Sequence, residues 1–134
     1  MQSNETFPLH TGGSINLVWS APSGLQKATG ISFVLRCAEE WTETTGTGKH
    51  RRTHLIHEQL WAAERKTEGP VDCRPDLPIP LAFDVPSTAP GSRLSEKQAI
   101  TFWELDVQAK APGVDFSERY LVPIYAINTQ KDSP

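Results

Sequence analysis

The chain has 134 residues and a mass of 14.8 kDa, enough for one compact domain and short for two. Hydrophobic residues make up 37% and charged residues 22%, a balance that supports a core and excludes a disordered tail or a fibrous repeat. Net charge is −3: residues 1–67 carry seven basic and six acidic groups, residues 68–134 six and ten. Neither half has the concentrated positive field that non-specific nucleic-acid binding needs, so no nucleic-acid partner is expected.

No stretch of the sequence reaches the roughly 18 apolar residues of a membrane-spanning helix, so no transmembrane segment is expected within it. The amino terminus lacks a signal-peptide pattern. Two cysteines, Cys37 and Cys73, do not make a disulfide framework. Cys37 falls on the apolar parity of a strand, which predicts a buried free thiol, with a Cys37–Cys73 bridge left open.

The dominant periodicity is two, the mark of strands with one buried face. In chain order the apolar parities are Ile15, Leu17 and Trp19; then Ile31, Phe33, Leu35 and Cys37, rejoined by Trp41. Leu77, Ile79, Leu81, Phe83 and Val85 follow, then Trp103, Leu105, Val107 and Ala109. Phe116, Tyr120, Val122 and Ile124 close the series, interrupted by Glu118. Such runs between Gly- and Pro-rich turns predict an all-β, antiparallel β-sandwich. Pro78 and Pro80 remove two donors from one side of their run, which places 76–85 at a sheet edge. Loops are expected at 20–30 and 86–98. Residues 12–126 are expected to form the single sandwich, with 1–11 a disordered or frayed N-terminus and 127–134 a C-terminal tail.

Residues 53–66 are ambiguous. Glu58, Gln59, Leu60, Ala62, Ala63, Glu64, Arg65 and Lys66 favour helix intrinsically, and Ile56, Leu60 and Ala63 would form a narrow helical stripe. The strand reading puts Leu55, His57, Gln59, Trp61 and Ala63 on one face, a poor alternation. Thr44-Thr45-Gly46-Thr47-Gly48-Lys49 before it reads as a hairpin connection.

Few residues point to chemistry. His50, His54 and His57 would align on one face of a helix as zinc ligands. On a strand, His50 and His54 lie about 13 Å apart and His57 points the other way, so no chelate forms. Gly46-Thr47-Gly48-Lys49 lacks the spacing and the Ser or Thr after Lys of a phosphate-cradling loop. Glu104 and Asp106 share the polar face of one strand about 7 Å apart, and serve solubility more simply than paired-carboxylate hydrolysis. No catalytic residue and no cofactor are therefore assigned. Lys49, Arg51 and Arg52, with His50, form a basic hairpin tip, most simply a solvated one and more sharply a phosphate or acidic-lipid contact. Trp41, at a strand end, is the aromatic most open to a partner, peptide or glycan.

Two sets of segments together resemble a known domain. One runs through Ile79-Pro80-Leu81-Ala82-Phe83-Asp84-Val85-Pro86, Ala89-Pro90-Gly91-Ser92, Phe102-Trp103-Glu104-Leu105-Asp106-Val107, Pro112-Gly113-Val114-Asp115-Phe116 and Val122-Pro123-Ile124-Tyr125. The other holds Val34-Leu35-Arg36-Cys37, Gly46-Thr47-Gly48-Lys49-His50-Arg51-Arg52 and Leu60-Trp61-Ala62-Ala63-Glu64. In order and spacing they resemble the carboxy-terminal extramembrane domain of a group of bacterial multi-pass membrane proteins, a domain of unknown function. An edge strand, a proline-rich turn and an aromatic-led strand are also similar to arrestin-type and immunoglobulin-like sandwiches. The resemblance implies that 49–66 continues a long hairpin strand and that membrane helices precede residue 1 in a parent chain, with the cytoplasmic side favoured.

The functional expectation is a non-enzymatic interaction or structural module. It would bind a protein partner, or the membrane portion of its own parent, through loops 44–52 and 86–98 or an unblocked strand edge. The alternatives are a zinc sensor or enzyme using His50, His54 and His57, and small-ligand or glycan binding by the sandwich.

Overall fold

A computed structural model of the chain describes residues 2–3, 9–22, 25, 27–67, 69–73, 76–94, 99–111 and 114–126. The expected tail 127–134 and parts of the 20–30 and 86–98 loops lie outside the described residues. The strands are β1 (Gln2–Ser3), β2 (Leu9–His10), β3 (Gly13–Trp19), β4 (Lys27–Ala28), β5 (Gly30–Thr45) and β6 (Arg52–Thr67). They continue with β7 (Val71–Asp72), β8 (Ile79–Val85), β9 (Arg93–Leu94), β10 (Ile100–Ala111), β11 (Val114–Leu121) and β12 (Ile124–Tyr125).

Two sheets make the layers. One is three-stranded, in the order β1-β3-β8; the other runs β11-β10-β5-β6, with β9 added to β10. Every pairing within these two sheets is antiparallel. Period-two alternation becomes burial directly. Ile15, Leu17, Trp19, Leu81, Phe83 and Val85 of the smaller sheet are buried, as are Ile31, Phe33, Leu35, Cys37, Trp103, Leu105, Val107 and Ala109 of the larger. Trp19 meets Phe33 across the layers edge-on, with ring centroids 5.5 Å apart, and Trp61 packs on Trp103 at 5.4 Å. Each of these large side chains contributes about 1.5–3 kcal/mol by leaving water.

Residues 52–67 are strand throughout, as the resemblance implied. The alternation was poor because of one extra residue. Cys37 faces Trp61 while Ala38 faces Gln59, so Leu60 is a β-bulge that reverses the parity of β6. Trp61 and Ala63 pack against the core, whereas His57 and Gln59 stand opposite outer-face residues of β5.

The edge reading of the proline run holds: β8 borders its sheet, although the strand begins at Ile79, after Pro78. Arg65 of β6 reaches across to that border. Its Nε donates to the Ala82 carbonyl at 3.1 Å and its guanidinium lies 5.2 Å from the Phe83 ring centroid.

The last apolar run is split. β11 leaves β10 after Leu121; the Val122 N–H then donates to the Trp103 carbonyl at 2.9 Å, and beyond Pro123 β12 pairs in parallel with β2. Within the stretch read as a frayed N-terminus, Leu9 and Thr11 are buried, and the Thr11 N–H donates to the Tyr125 carbonyl. Gly91 sits where a Cβ would collide with the Tyr125 and Ala126 backbone, so the 86–94 segment can lie against β12 only with glycine there.

Trp19 is fully buried, and its indole N–H has one partner, the Tyr120 hydroxyl at 3.2 Å, which in turn donates to Glu118 at 2.9 Å. Tyr120→Phe strands that N–H without acceptor. The expected cost is about 1–2 kcal/mol, read as a lower midpoint in urea unfolding.

Candidate interaction surface

The larger sheet has an inner face in the core and an outer face whose rows follow from strand register. Across β6, β5, β10 and β11 the rows are Glu64, Val34, Asp106, Arg119; then Ala62, Arg36, Glu104, Leu121. Beyond the bulge come Gln59, Ala38 and Phe102, then His57, Glu40 and Ile100, with Leu94 of β9 opposite Ile100. Leu55 faces Thr42 one row further out.

Two features of this face were not legible in the sequence. Glu104 and Asp106, expected as exposed solubility groups, are each 6% exposed. They lie on a central strand, and long neighbours fold over them. Arg36 Nη2 donates to Asp106 Oδ2 at 3.4 Å, and Arg119 Nε sits 3.9 Å from Glu104 and 4.0 Å from Asp106. Arg36 Nε and Asp106 Oδ1 have no hydrogen-bond partner among the described residues, so only one arm of the guanidinium–carboxylate fork is made. The two guanidinium groups offset the charge of the two carboxylates.

The second feature is apolar. Leu94, Ile100 and Leu121 are 71%, 49% and 77% exposed, and all three lie on the outer face, with Leu55 at its margin. Single exposed aliphatics are ordinary on a surface; here several share one sheet face. A hollow of about 530 Å³ at the opposite end of the sheet is lined by Ser32, Lys66, Gln108, Lys110, Asp115 and Ser117 among others.

The residues singled out from sequence are dispersed. His50 lies in a single 3-10 turn, Gly48–His50, between β5 and β6. His54 stands opposite Glu43, and His57 opposite Glu40 with Nδ1–Oε2 at 2.9 Å. His54 and His57 therefore project from opposite faces of β6. Among the described residues no group of three or more His, Cys, Asp and Glu is placed to hold a metal ion, and the zinc arrangement, which needed a helix, is not assembled. Lys49, Arg51 and Arg52 are exposed at the hairpin tip. Trp41 is half-buried, its N–H donating to Glu43 at 3.0 Å.

Cys37 and Cys73 are both free and buried. Burial pushes the Cys37 thiol from an ordinary 9.0 up to about 11, with Glu39 adding to the rise and Arg93 opposing it. Burial likewise raises the Cys73 thiol. Neither is activated as a nucleophile.

This architecture is an all-β, antiparallel sandwich of the arrestin-like kind. Among solved structures the chain is similar to Spo0M, a sporulation control protein from Bacillus subtilis, with a TM-score of 0.51 and 13% identity. The match covers 93% of this chain and 47% of that one, so the chain spans about half the length of that protein. Identity this low speaks for the fold alone. No family model matches the chain, and no curated protein matches it. Among the described residues no helix is long and apolar enough to cross a membrane.

Two outcomes follow from the ionisable groups. Arg36→Met leaves the Glu104–Asp106 pair with only the largely exposed Arg119 for cover. A loss of about 2–3 kcal/mol in chemical unfolding is expected, below the cost for a fully buried pair because Arg36 is partly solvated. For the thiols, the native chain should resist a disulfide reagent at pH 8 and yield two thiols only in denaturant. Since the folded chain holds the Cys37 proton longer than the unfolded chain, stability should be intact below pH 9 and fall as pH rises through about 11.

Proposed function

We propose that the chain is a non-enzymatic interaction module that docks a protein partner on the outer face of its larger sheet. The observation that carries this reading is the set of large aliphatic side chains, Leu94, Ile100 and Leu121, left 49–77% exposed on one face. At the far side of the same sheet, beyond β5, the free edge of β6 runs without a proline over 16 residues, whereas the β8 edge is occupied by Pro80 and by Arg65. An arriving strand could add to the first edge and not readily to the second. The arrestin-like fold fits a regulatory, protein-interacting role, and the name of the Spo0M neighbour is that of a control protein.

The partner is either a separate protein or the membrane portion of a longer parent chain. The second option gains support from the resemblance to extramembrane domains. Two free thiols favour the reducing, cytoplasmic side.

The test is a double variant, Ile100→Gln with Leu121→Gln, which adds no charge opposite Glu40 or Glu104. Both sites are solvated, so the urea midpoint should stay within about 0.5 kcal/mol of the parent. Capture of the parent chain's membrane portion, or of a cellular partner, should fall at least about tenfold, the equivalent of about 1.4 kcal/mol. Asp84→Lys on the smaller sheet should leave capture unchanged. Wild-type capture by the double variant sinks the proposal.

A further inference from the structure

The β5–β6 hairpin outruns the sheet it belongs to. The last residue of β5 with a partner in β10 is Glu40, opposite Ile100, yet β5 and β6 stay paired from Trp41 opposite Ile56 to Thr45 opposite Arg52. Those rows form a two-stranded ribbon projecting roughly 17 Å past the sandwich at strand rise.

Its turn is held in shape. Gly46 has φ +83° and Gly48 φ +57°, and a Cβ on Gly46 would strike the His50 carbonyl. The His50 N–H donates to Thr47 at 3.0 Å and the Arg51 N–H to Gly48 at 3.2 Å. Lys49, His50, Arg51, Arg52 and His54 are thereby displayed on a formed turn, all exposed.

Charge is segregated along the same line. No Asp or Glu occurs between residues 44 and 57. With Lys49, Arg51 and Arg52 set aside, ten cations face sixteen carboxylates in the remaining chain, a net −6. The nearest opposing groups are Glu43, opposite His54 and bonded to Trp41, and Glu40, which holds His57. Glu40 lies at the base of the ribbon and Glu43 in its middle row. Leu55, 66% exposed, stands opposite Thr42 on the outer face of the ribbon, three residues behind Arg52.

We propose that the ribbon docks side-on, by its outer face, on an anionic membrane surface, with Lys49, Arg51 and Arg52 at the headgroups and Leu55 at the headgroup–acyl boundary. The inference stands apart from the protein-docking face, since it uses different residues and a different partner. The projection explains how an acidic body tolerates such a surface. At 0.1 M salt the screening length is about 10 Å, so carboxylates beyond the base of a ribbon about 17 Å long are largely screened from the cations at its tip. An acidic nucleic-acid backbone would satisfy the cations but offers no site for Leu55. A bilayer interface takes both.

The full chain is tested by sedimentation with phosphatidylcholine vesicles, alone or with about 30% phosphatidylserine, at low and high salt. The expected result is binding to the anionic vesicles only, weakened by salt. At roughly fivefold per basic residue, the triple variant Lys49→Gln, Arg51→Gln, Arg52→Gln should lose about a hundredfold in partition. Leu55→Gln should lose several-fold on vesicles with no change in urea midpoint. The inference is overturned if the wild type ignores anionic vesicles or if the triple variant binds them equally. Tighter binding to duplex DNA than to the vesicles, indifferent to Leu55→Gln, also overturns it. Because Ile100 and Leu121 are untouched, partner capture by these variants reports separately on the docking face.

Discussion

The pairing of β5 with β10, from Gly30 opposite Lys110 to Glu40 opposite Ile100, is the constraint on which the rest of the molecule depends. It brings together residues some seventy positions apart, so it is costly in chain entropy and must be repaid by burial on both of its faces. The inner face does this with Phe33, Leu35, Trp103, Leu105 and Val107, none exposed. The outer face cannot do it with hydrocarbon alone, because β10 carries Glu104 and Asp106 there. Arg36 and Arg119, delivered by the neighbouring strands on either side, cover those carboxylates. From Trp103 to Val107 the central strand is thus buried on both sides, by apolar packing on one and by charge compensation on the other.

That compensation shapes what the outer face can present. Guanidinium and carboxylate groups occupy its middle rows, and the aliphatics Leu94, Ile100 and Leu121 lie around them. The cluster is thus a fixed set of charges framed by exposed hydrocarbon. The edges follow a related logic. β8 is closed by proline and by the Arg65 bridge, while β6 is left open, bulged at Leu60 and charged along its length. Bulges and charges of this sort discourage indiscriminate strand addition without forbidding a chosen partner.

Much of the fold is legible in the sequence because strands with one wet face must alternate. The parities of 15–19, 31–37 and 103–109 carried straight into the core, and proline chemistry located the β8 edge. Legibility failed where a single residue changed the geometry. Leu60 reverses the face of β6, so a period-two reading across 53–66 mixed inward Trp61 with outward His57 and looked equally helical. Around Pro123 the chain leaves β11: Val122 still bonds to Trp103 of β10, while Ile124 and Tyr125 pair with the N-terminal segment. The histidines could be judged only once β6 was known to be a strand, for the helix that would have gathered His50, His54 and His57 does not form.

By itself, the sequence determined the all-β class, the inward set of large side chains and the cationic hairpin tip, because each is written in local spacing or composition. Register was decided only in three dimensions. Which strand lies beside which, and by how many residues it is shifted, placed Arg36 and Arg119 over buried carboxylates, gathered Leu94, Ile100 and Leu121 on one face and left the β5–β6 ribbon projecting. These are relations between distant segments, set by mutual packing and hydrogen bonding across strands, and no local pattern encodes them.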